Sequence, residues 1–231
     1  MSTQTAERIK APTPADRGPP RTLLQLGAAF LRKPSPVVLT LTVVTAWILR
    51  IVLGGWGWGD LIVAVGVVSL WPLQEWAIHV FLLHSRPVRI GPFTLDSAQA
   101  RKHRAHHRQP WKLDDLFVPL HTYGYALPIL ILVGVVGLPT QEVALTGIAV
   151  YVSLGMHYEW CHLMAHCAYV PRTRFYNRLW RHHRLHHFKN EALWLGVSST
   201  LGDRILGTCP DHRSVEKSPT CRTLGISEES L

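Results

Sequence analysis

Histidine is the residue type with the clearest chemical pattern, and the chain has fourteen of them. Ten recur at spacings of three, four or five residues: His79, His84, His103, His106, His107, His162, His166, His183, His186 and His187. Side chains three or four residues apart lie on one face of a helix. A metal ion takes roughly four to six ligands, and imidazole binds iron, zinc and copper. Ten imidazoles are too many for one ion and suit two.

His79 and His84 depart from the helical spacing of the other clusters. Five residues place them about 140° apart around an ideal helix. They can share one site only if the helix unwinds near Leu83; otherwise they serve two different metals. The sequence leaves both arrangements open.

Two acidic residues precede histidine clusters at helical spacing. Glu75 lies one turn before His79, and Glu159 lies three residues before His162. A metal-bound imidazole usually donates its second N–H to a carboxylate or a carbonyl, and an acid inside an apolar helix is costly. We therefore predict that Glu75 and Glu159 are such partners, with a plain interhelical hydrogen bond as the alternative.

The remaining four histidines fall outside the set of ten. His182 is interpreted as a spare ligand and His157 as a further candidate. His157 and His121 also fit hydrogen-bonding or substrate-side roles. His212 is expected at the surface.

Four apolar stretches supply the elements that would position the histidines: residues 37–53, 61–83, 123–138 and 141–162. A helix that crosses a bilayer needs about 20 residues, and short linkers join the stretches in pairs. The sequence therefore predicts an all-α membrane protein with four transmembrane helices in two hairpins. Arg50, near the end of the first stretch, is expected to extend its side chain toward the interface.

The predicted membrane domain covers residues 35–210. Residues 1–34 contain five prolines and mixed charges and are predicted to form a disordered cytosolic tail. Residues 211–231 are predicted to form a polar C-terminal tail. The four cysteines include no CxxC pair and are interpreted as reduced and structural.

The distribution of basic residues predicts the orientation. Loops 54–60 and 138–141 contain no lysine or arginine, whereas the loop between the hairpins and the segment after His166 are rich in them. Such loops lie on the cytosolic side, so we expect a multi-pass protein with both termini and all histidine clusters at its cytosolic face. The basic segment 181–189 could indicate RNA binding, but its histidine spacing beside a membrane helix argues against a nucleic-acid partner.

The ordered set of histidine motifs resembles the membrane fatty acid hydroxylase and sterol desaturase superfamily, over about residues 61–208. Its C-terminal part is carried by residues 183–190, 196–199 and 203–208, which read HRLHHFKN, GVSS and DRILGT. The resemblance implies a cytosolic helical cap above the membrane helices. It also implies a centre of two iron ions held by the ten histidines, a centre that zinc could occupy in purified protein.

Members of this superfamily hydroxylate or desaturate acyl chains, ceramides, sterols or carotenoids. The resemblance therefore implies O₂-dependent hydroxylation of an unactivated C–H bond of a lipid, most simply a fatty acyl chain. Residues 1–34 contain no cytochrome b5 module, so a separate electron donor of ferredoxin or cytochrome b5 type, with its reductase, is expected.

Three other functions fit parts of the pattern. Desaturation of a lipid, sterol or carotenoid could occur at the same centre. A transition-metal transporter would place its ligands near the bilayer midplane, whereas these lie at one face. A haem-binding electron carrier would need only His79 and His162, which leaves eight histidines unexplained. The sequence does not identify the substrate.

Overall fold

The computed structural model describes residues 19–226. These residues form helices and one hairpin, in the order α1 Leu23–Phe30, α2 Pro34–Leu53, α3 Trp58–Ala77, β1 Val88–Ile90, β2 Phe93–Leu95, α4 Ala98–Arg108, α5 Leu120–Gly137, α6 Gln141–Ala165, α7 Arg174–Phe188 and α8 Leu201–Ile205. α3 continues directly into a π-helical segment, Ile78–Leu83.

Three helices of the described residues are long and apolar enough to cross a bilayer: α2, α5, and α3 together with its π-helical continuation. Many of their large apolar side chains are exposed, including Val52, Ile62 and Val136, which suits contact with lipid. The prediction of a mostly helical membrane protein is confirmed.

The fourth predicted span corresponds to α6, which has 25 residues but is not among these three. α6 packs against α2, α3, α5 and α7, so it is the central helix of the bundle. Several of its buried residues are small or polar, such as Thr146, Gly147 and Ala149. These residues lower the mean hydropathy of α6. They face neighbouring helices, where small side chains permit close packing.

Both predicted tails contain packed structure within the described residues. The Thr22 side chain caps α1 by accepting a hydrogen bond from the Gln25 N–H, and Phe30 packs edge-on against Trp160. The prediction of disorder was therefore wrong for residues 19–34, while residues 1–18 lie outside the described residues. At the other end, Cys221 and Ile226 are buried, so residues 211–226 do not form only a polar tail. They contact the end of α4 and the residue after α7, and α4, α7, α8 and the segments that join them to residues 211–226 are called the cap.

The all-α prediction missed a short antiparallel hairpin. Val88 lies opposite Leu95 and Ile90 lies opposite Phe93. The turn between them contains Gly91, whose φ of 59° lies in the left-handed region that glycine adopts without strain. Each strand has only three residues, too few for alternation to stand out in the sequence.

Arg50 is fully buried within the protein, contrary to the prediction that its side chain extends out of the bundle. Its Nε and Nη2 donate to Asp60 Oδ1 at 3.1 and 2.7 Å, and its Nε lies 2.6 Å from Thr146 Oγ1. Its guanidinium also lies 3.7 Å from the Trp56 ring centre. Arg50 thus joins α2, α3 and α6 at the end of the bundle opposite the histidines.

We expect Arg50→Met to destabilise the protein strongly. The substitution removes the counter-ion of the Asp60 carboxylate and leaves its Oδ1 with only the Thr146 hydroxyl as a side-chain partner, and removing one member of such a pair is destabilising. Thermal unfolding in detergent measures the effect. Arg32→Met, at an exposed arginine, is the control, and equal unfolding midpoints for the two variants would contradict the structural role of Arg50.

Candidate metal centre

The structure brings the ten predicted histidines together in two groups of five. The first group is His79, His84, His103, His107 and His186; the second group is His106, His162, His166, His183 and His187. Within each group the candidate ligand nitrogens all lie within 4.8 Å of one another. Nine of the ten side chains are buried, and His84 is half-buried.

Neighbouring Nε2 atoms within each group are separated by nearly constant distances. His79 and His84 each lie 3.1 Å from His103, and in the second group His183 lies 3.1 Å from His166. Two nitrogens bound to one metal at about 2.1 Å and at right angles would be about 3.0 Å apart. An N–H on one ring could satisfy only one such contact, whereas one cation attracts the lone pairs of all five rings, so the donor set fits one metal ion per group.

Burial favours the metal-binding form of these rings. Burial lowers the pKa of His103, His106 and His183 well below its ordinary value, and the neighbouring imidazoles lower it further. The rings are therefore neutral at physiological pH. Neutral imidazole is the form that binds metal, since a protonated ring has no free lone pair.

Each HxxHH motif contributes to both groups. On α4, His103 and His107 belong to the first group and His106 to the second; on α7, the pair four residues apart, His183 and His187, belongs to the second. The His107 and His187 rings stack with centroids 4.1 Å apart. The two groups therefore adjoin, as expected for two metals that act together.

The π-helical segment answers the question left open for His79 and His84. The His84 N–H donates to the His79 carbonyl at 3.0 Å, a bond from residue i+5 to residue i. The wider turn brings both rings into the first group, so the two histidines share one group because the helix is locally underwound up to Leu83. Single π-turns often occur at functional sites.

Three rings of the first group are oriented by backbone carbonyls. Their Nδ1 atoms lie within hydrogen-bond distance of these acceptors: His79 with Leu195 (2.5 Å), His186 with Leu193 (3.0 Å) and His107 with Cys221 (2.9 Å). Since a carbonyl only accepts, the proton is on Nδ1 and the Nε2 lone pair is directed at the metal position. Such partners fix both the tautomer and the ring orientation.

Glu75 does not contact an imidazole directly, contrary to the prediction. Its Oε1 accepts from the Val197 and Ser198 N–H groups at 2.5 and 2.7 Å, and its Oε2 accepts from the Ser198 hydroxyl at 2.7 Å. These bonds hold the loop that presents the Leu195 carbonyl to His79. Glu75 therefore positions the His79 ring indirectly, through this loop.

Glu159 makes the interhelical hydrogen bonds that were the alternative to a role beside His162. Its Oε1 accepts from the Val118 N–H at 2.9 Å and from the Ser35 and Tyr123 hydroxyls at 3.1 Å. It therefore links α6 to α2 and α5 next to the second group.

His182 lies outside both groups and contacts Asp203, which the sequence reasoning missed. The His182 Nε2 lies 2.8 Å from Asp203 Oδ2, and Asp203 also accepts from the Leu195 and Gly196 N–H groups at 2.9 and 2.7 Å. A Cβ on Gly196 would lie 1.9 Å from the Ser199 carbonyl oxygen, so this turn requires glycine. The one signal for Asp203 was its place in the DRILGT segment.

The other histidines also lie apart from the two groups. His157 stacks on Phe175, with ring centroids 6.2 Å apart. His121 is exposed, and His212 lies 3.3 Å from Asp211. The structure thus gives none of the three a place among the candidate ligands.

An apolar cavity of about 290 Å³ adjoins both groups. It lies between α3, α5 and α6, and its wall includes His79 and His103 of the first group and His162 of the second. Trp71 and Leu130 line it on the membrane side. Its few polar lining groups on the cap side include Gln99 and Lys102.

Trp111 connects the surface of the cap to the second group. Its side chain is 48% exposed, and its ring lies edge-on to His166, with centroids 6.2 Å apart. The same ring stacks on Phe188 at 5.4 Å. The Arg184 guanidinium lies 5.0 Å from its centre, so this exposed aromatic group has a positive neighbour.

Comparison with known proteins identifies the family. Residues 61–208 match the family described as fatty acid hydroxylase. The match covers more than half of the chain, so this chain belongs to the fatty acid hydroxylase family. The resemblance of the histidine motifs to the fatty acid hydroxylase and sterol desaturase superfamily is thereby confirmed.

Relatives with known activities include plant and animal enzymes. The chain is 28% identical over 158 residues to dihydroceramide fatty acyl 2-hydroxylase FAH2 of Arabidopsis thaliana, 27% identical over 158 residues to FAH1 of the same plant, and 27% identical over 146 residues to fatty acid 2-hydroxylase of Macaca fascicularis. These matches cover 68%, 68% and 61% of this chain, but only 64%, 63% and 37% of the relatives.

A solved structure shares the fold. It is full-length scs7p, in which only the hydroxylase domain is visible, with a TM-score of 0.61 and 24% sequence identity. The likeness covers 80% of this chain and 68% of the other.

We expect purified wild-type protein to contain about two metal ions per chain, one for each group. His186→Ala and His183→Ala each remove one of five imidazoles and should each lower metal content, whereas His121→Ala, at an exposed histidine outside both groups, should not. Inductively coupled plasma mass spectrometry measures the content. Full metal content in both the His186 and His183 variants would show that the groups do not bind metal.

Proposed function

We propose that this protein is an integral membrane di-iron oxygenase that hydroxylates the acyl chain of a lipid with O₂. The observation that carries the proposal is the pair of five-imidazole groups that adjoin an apolar cavity among membrane helices. The relatives are named as hydroxylases of fatty acids or of the fatty acyl chain of dihydroceramide, and these names support the same reaction class.

The proposed ligands are the ten histidines of the two groups. Bound iron would supply the activation of O₂ that an unactivated C–H bond requires. In the overall reaction one oxygen atom enters the C–H bond and the other leaves as water, with two electrons and two protons consumed. The carbonyls of Leu193, Leu195 and Cys221 hold three of the five first-group rings in one tautomer, and the apolar wall keeps bulk water from the reacting carbon.

Position 2 of the acyl chain is the proposed site of hydroxylation. The polar groups of Gln99 and Lys102 line the cavity beside His103, where they suit the carbonyl end of a lipid. The carbon next to that carbonyl would then lie near the first group, with the rest of the chain toward Trp71 and Leu130. The 2-hydroxylase names of the relatives support this choice.

The proposed membrane arrangement has four spans, with α6 as the fourth because it runs beside α2, α3 and α5. Residues 35–210 form the proposed membrane domain. Both termini, the cap and the two histidine groups are placed on the cytosolic side, as the basic residues of the histidine-bearing segments favour.

The rival metal functions have less support. His79 and His162 belong to different groups, so they do not form the axial pair of one haem. The histidines also cluster at the C-terminal ends of α3 and α6 and in the cap, whereas a transport site is expected at the midplane.

In the test, iron-loaded protein in vesicles that contain dihydroceramide is reduced anaerobically with dithionite, the excess dithionite is removed, and ¹⁸O₂ is then admitted for a single turnover. We expect a 2-hydroxyacyl product that carries one ¹⁸O atom, detected by lipid mass spectrometry. An unlabelled alcohol, or a double bond in place of an alcohol, would contradict hydroxylation.

A variant of the cavity provides the matched control. Ala126 lines the cavity from α5, and Ala126→Phe should lower turnover at least about tenfold because the added ring occupies space needed by the chain. Val133→Phe places the same ring on the exposed side of α5 and should leave turnover unchanged. Metal content is measured for both variants.

A separate electron donor of ferredoxin or cytochrome b5 type, with its reductase, completes the proposal. Electrons must pass through protein because the ligands are buried, and Trp111 supplies an exposed aromatic contact with a second-group ring. The adjacent Arg184, with exposed Lys112 and Arg222 in the same part of the cap, favours a donor with an acidic surface.

We expect Trp111→Ala to slow the oxidation of pre-reduced plant-type ferredoxin by the iron-loaded protein under anaerobic conditions. The oxidation rate with Trp111→Phe should lie between those of wild type and Trp111→Ala. Stopped-flow absorbance of the ferredoxin measures the rate. Reduction by dithionite bypasses the donor and so separates lost electron entry from lost metal. Equal ferredoxin oxidation rates for wild type and Trp111→Ala would place electron entry elsewhere.

A further inference from the structure

The β-hairpin has one wholly apolar face that no other part of the described chain covers. Val88, Ile90, Phe93 and Leu95 are 56%, 58%, 71% and 58% exposed. Val88 pairs with Leu95 and Ile90 with Phe93. Because side chains alternate along a strand, all four lie on the same face.

The opposite face of the hairpin is polar. Arg89 pairs with Thr94 across the strands, and both side chains are exposed. A second exposed arginine, Arg86, precedes the first strand. The hairpin is therefore amphipathic, although an isolated two-stranded hairpin is marginally stable in water and four clustered apolar side chains normally mark a contact surface.

A buried arginine fixes the base of the hairpin to the cap. Arg104, which is 1% exposed, donates to the Ser85 carbonyl at 3.1 Å and pairs with the Asp96 carboxylate. Ser85 precedes β1 and Asp96 follows β2. Arg104 is also next to His103 on α4, so the hairpin has a fixed position relative to the first group.

Both ends of the hairpin lead to the ends of candidate membrane spans. The chain enters it from the π-helical segment that terminates the second candidate span. It leaves at the start of α4, where Gln99 donates to the Thr122 hydroxyl at 3.3 Å and bonds to Tyr125, both in the first turns of α5. The hairpin therefore emerges at the level where two spans end.

We infer that the hairpin Val88–Leu95 lies in the bilayer leaflet nearest the histidine groups, with its apolar face on lipid acyl chains. Arg89 and Arg86 lie at the headgroup level, where basic side chains attract anionic lipids. The occupant of this face is thus lipid rather than a second protein. The inference depends on the membrane helices and does not require the proposed catalytic activity.

Adjacent residues of one strand provide the test. Phe93→Cys and Thr94→Cys, each in a Cys209→Ser background because Cys209 is the described cysteine that is not buried, are labelled with a nitroxide. The labelled protein is placed in vesicles of phosphatidylcholine and phosphatidylglycerol. Electron paramagnetic resonance power saturation then compares access of O₂, which concentrates in lipid, with access of a water-soluble nickel chelate.

We expect the ratio of O₂ access to nickel access to be several-fold higher at position 93 than at position 94. Ile90→Cys should behave like Phe93→Cys, and Arg89→Cys like Thr94→Cys. Unfolding midpoints of the labelled variants establish that each one is folded, and the two neighbouring sites disturb the same strand equally.

Two results would overturn the inference. Equally high nickel access at positions 93 and 94 would mean that the hairpin projects into water. Low access of both reagents at position 93, together with dipolar broadening between labels, would mean that a second copy of the chain covers the apolar face.

Discussion

The structure depends on one electrostatic constraint: ten imidazole nitrogens converge in two buried groups, where a cation held by each group would attract all five of its lone pairs. Each ring must therefore be neutral, in one tautomer and held in one direction. Burial supplies the first condition. Packing of α3, α4, α6 and α7 around the groups restricts the direction of the rings, and the contacts among α2, α3, α5 and α6 hold those helix ends in place.

The orientation of the first group is determined chiefly by main-chain atoms. A loop between α7 and α8 presents two carbonyls, one to a ring on α7 and one to His79 on the π-helical segment. The carboxylates of Glu75 and Asp203 hold that loop by its N–H groups. Acidic side chains thus contribute without competing for the metal positions. Gly202 continues this attachment, because a Cβ there would lie 2.3 Å from the Pro72 carbonyl oxygen, so α8 packs directly on α3.

The sequence predicted the features that depend on local periodicity. Spacings of three and four residues identified eight of the ten histidines that converge, because those rings share helix faces. The five-residue spacing of His79 and His84 left their placement open, and long apolar runs identified the three candidate membrane helices. The features that depend on tertiary contacts were not predictable in the same way. The π-turn that brings His84 beside His79, the burial of Arg50 against Asp60, and the carbonyl partners of the rings all arise from which helices happen to be neighbours.

The carbonyl of Cys221 has a consequence for how the protein is made. Translation proceeds from the N-terminus, so the membrane helices and the ligands of α3, α4 and α6 emerge well before α7 and the segment that supports His107. Two of the five second-group histidines, His183 and His187, are on α7, so a nascent chain lacks them until late in synthesis. Both groups of imidazoles are therefore complete only after α7 and the segment around Cys221 have been synthesised.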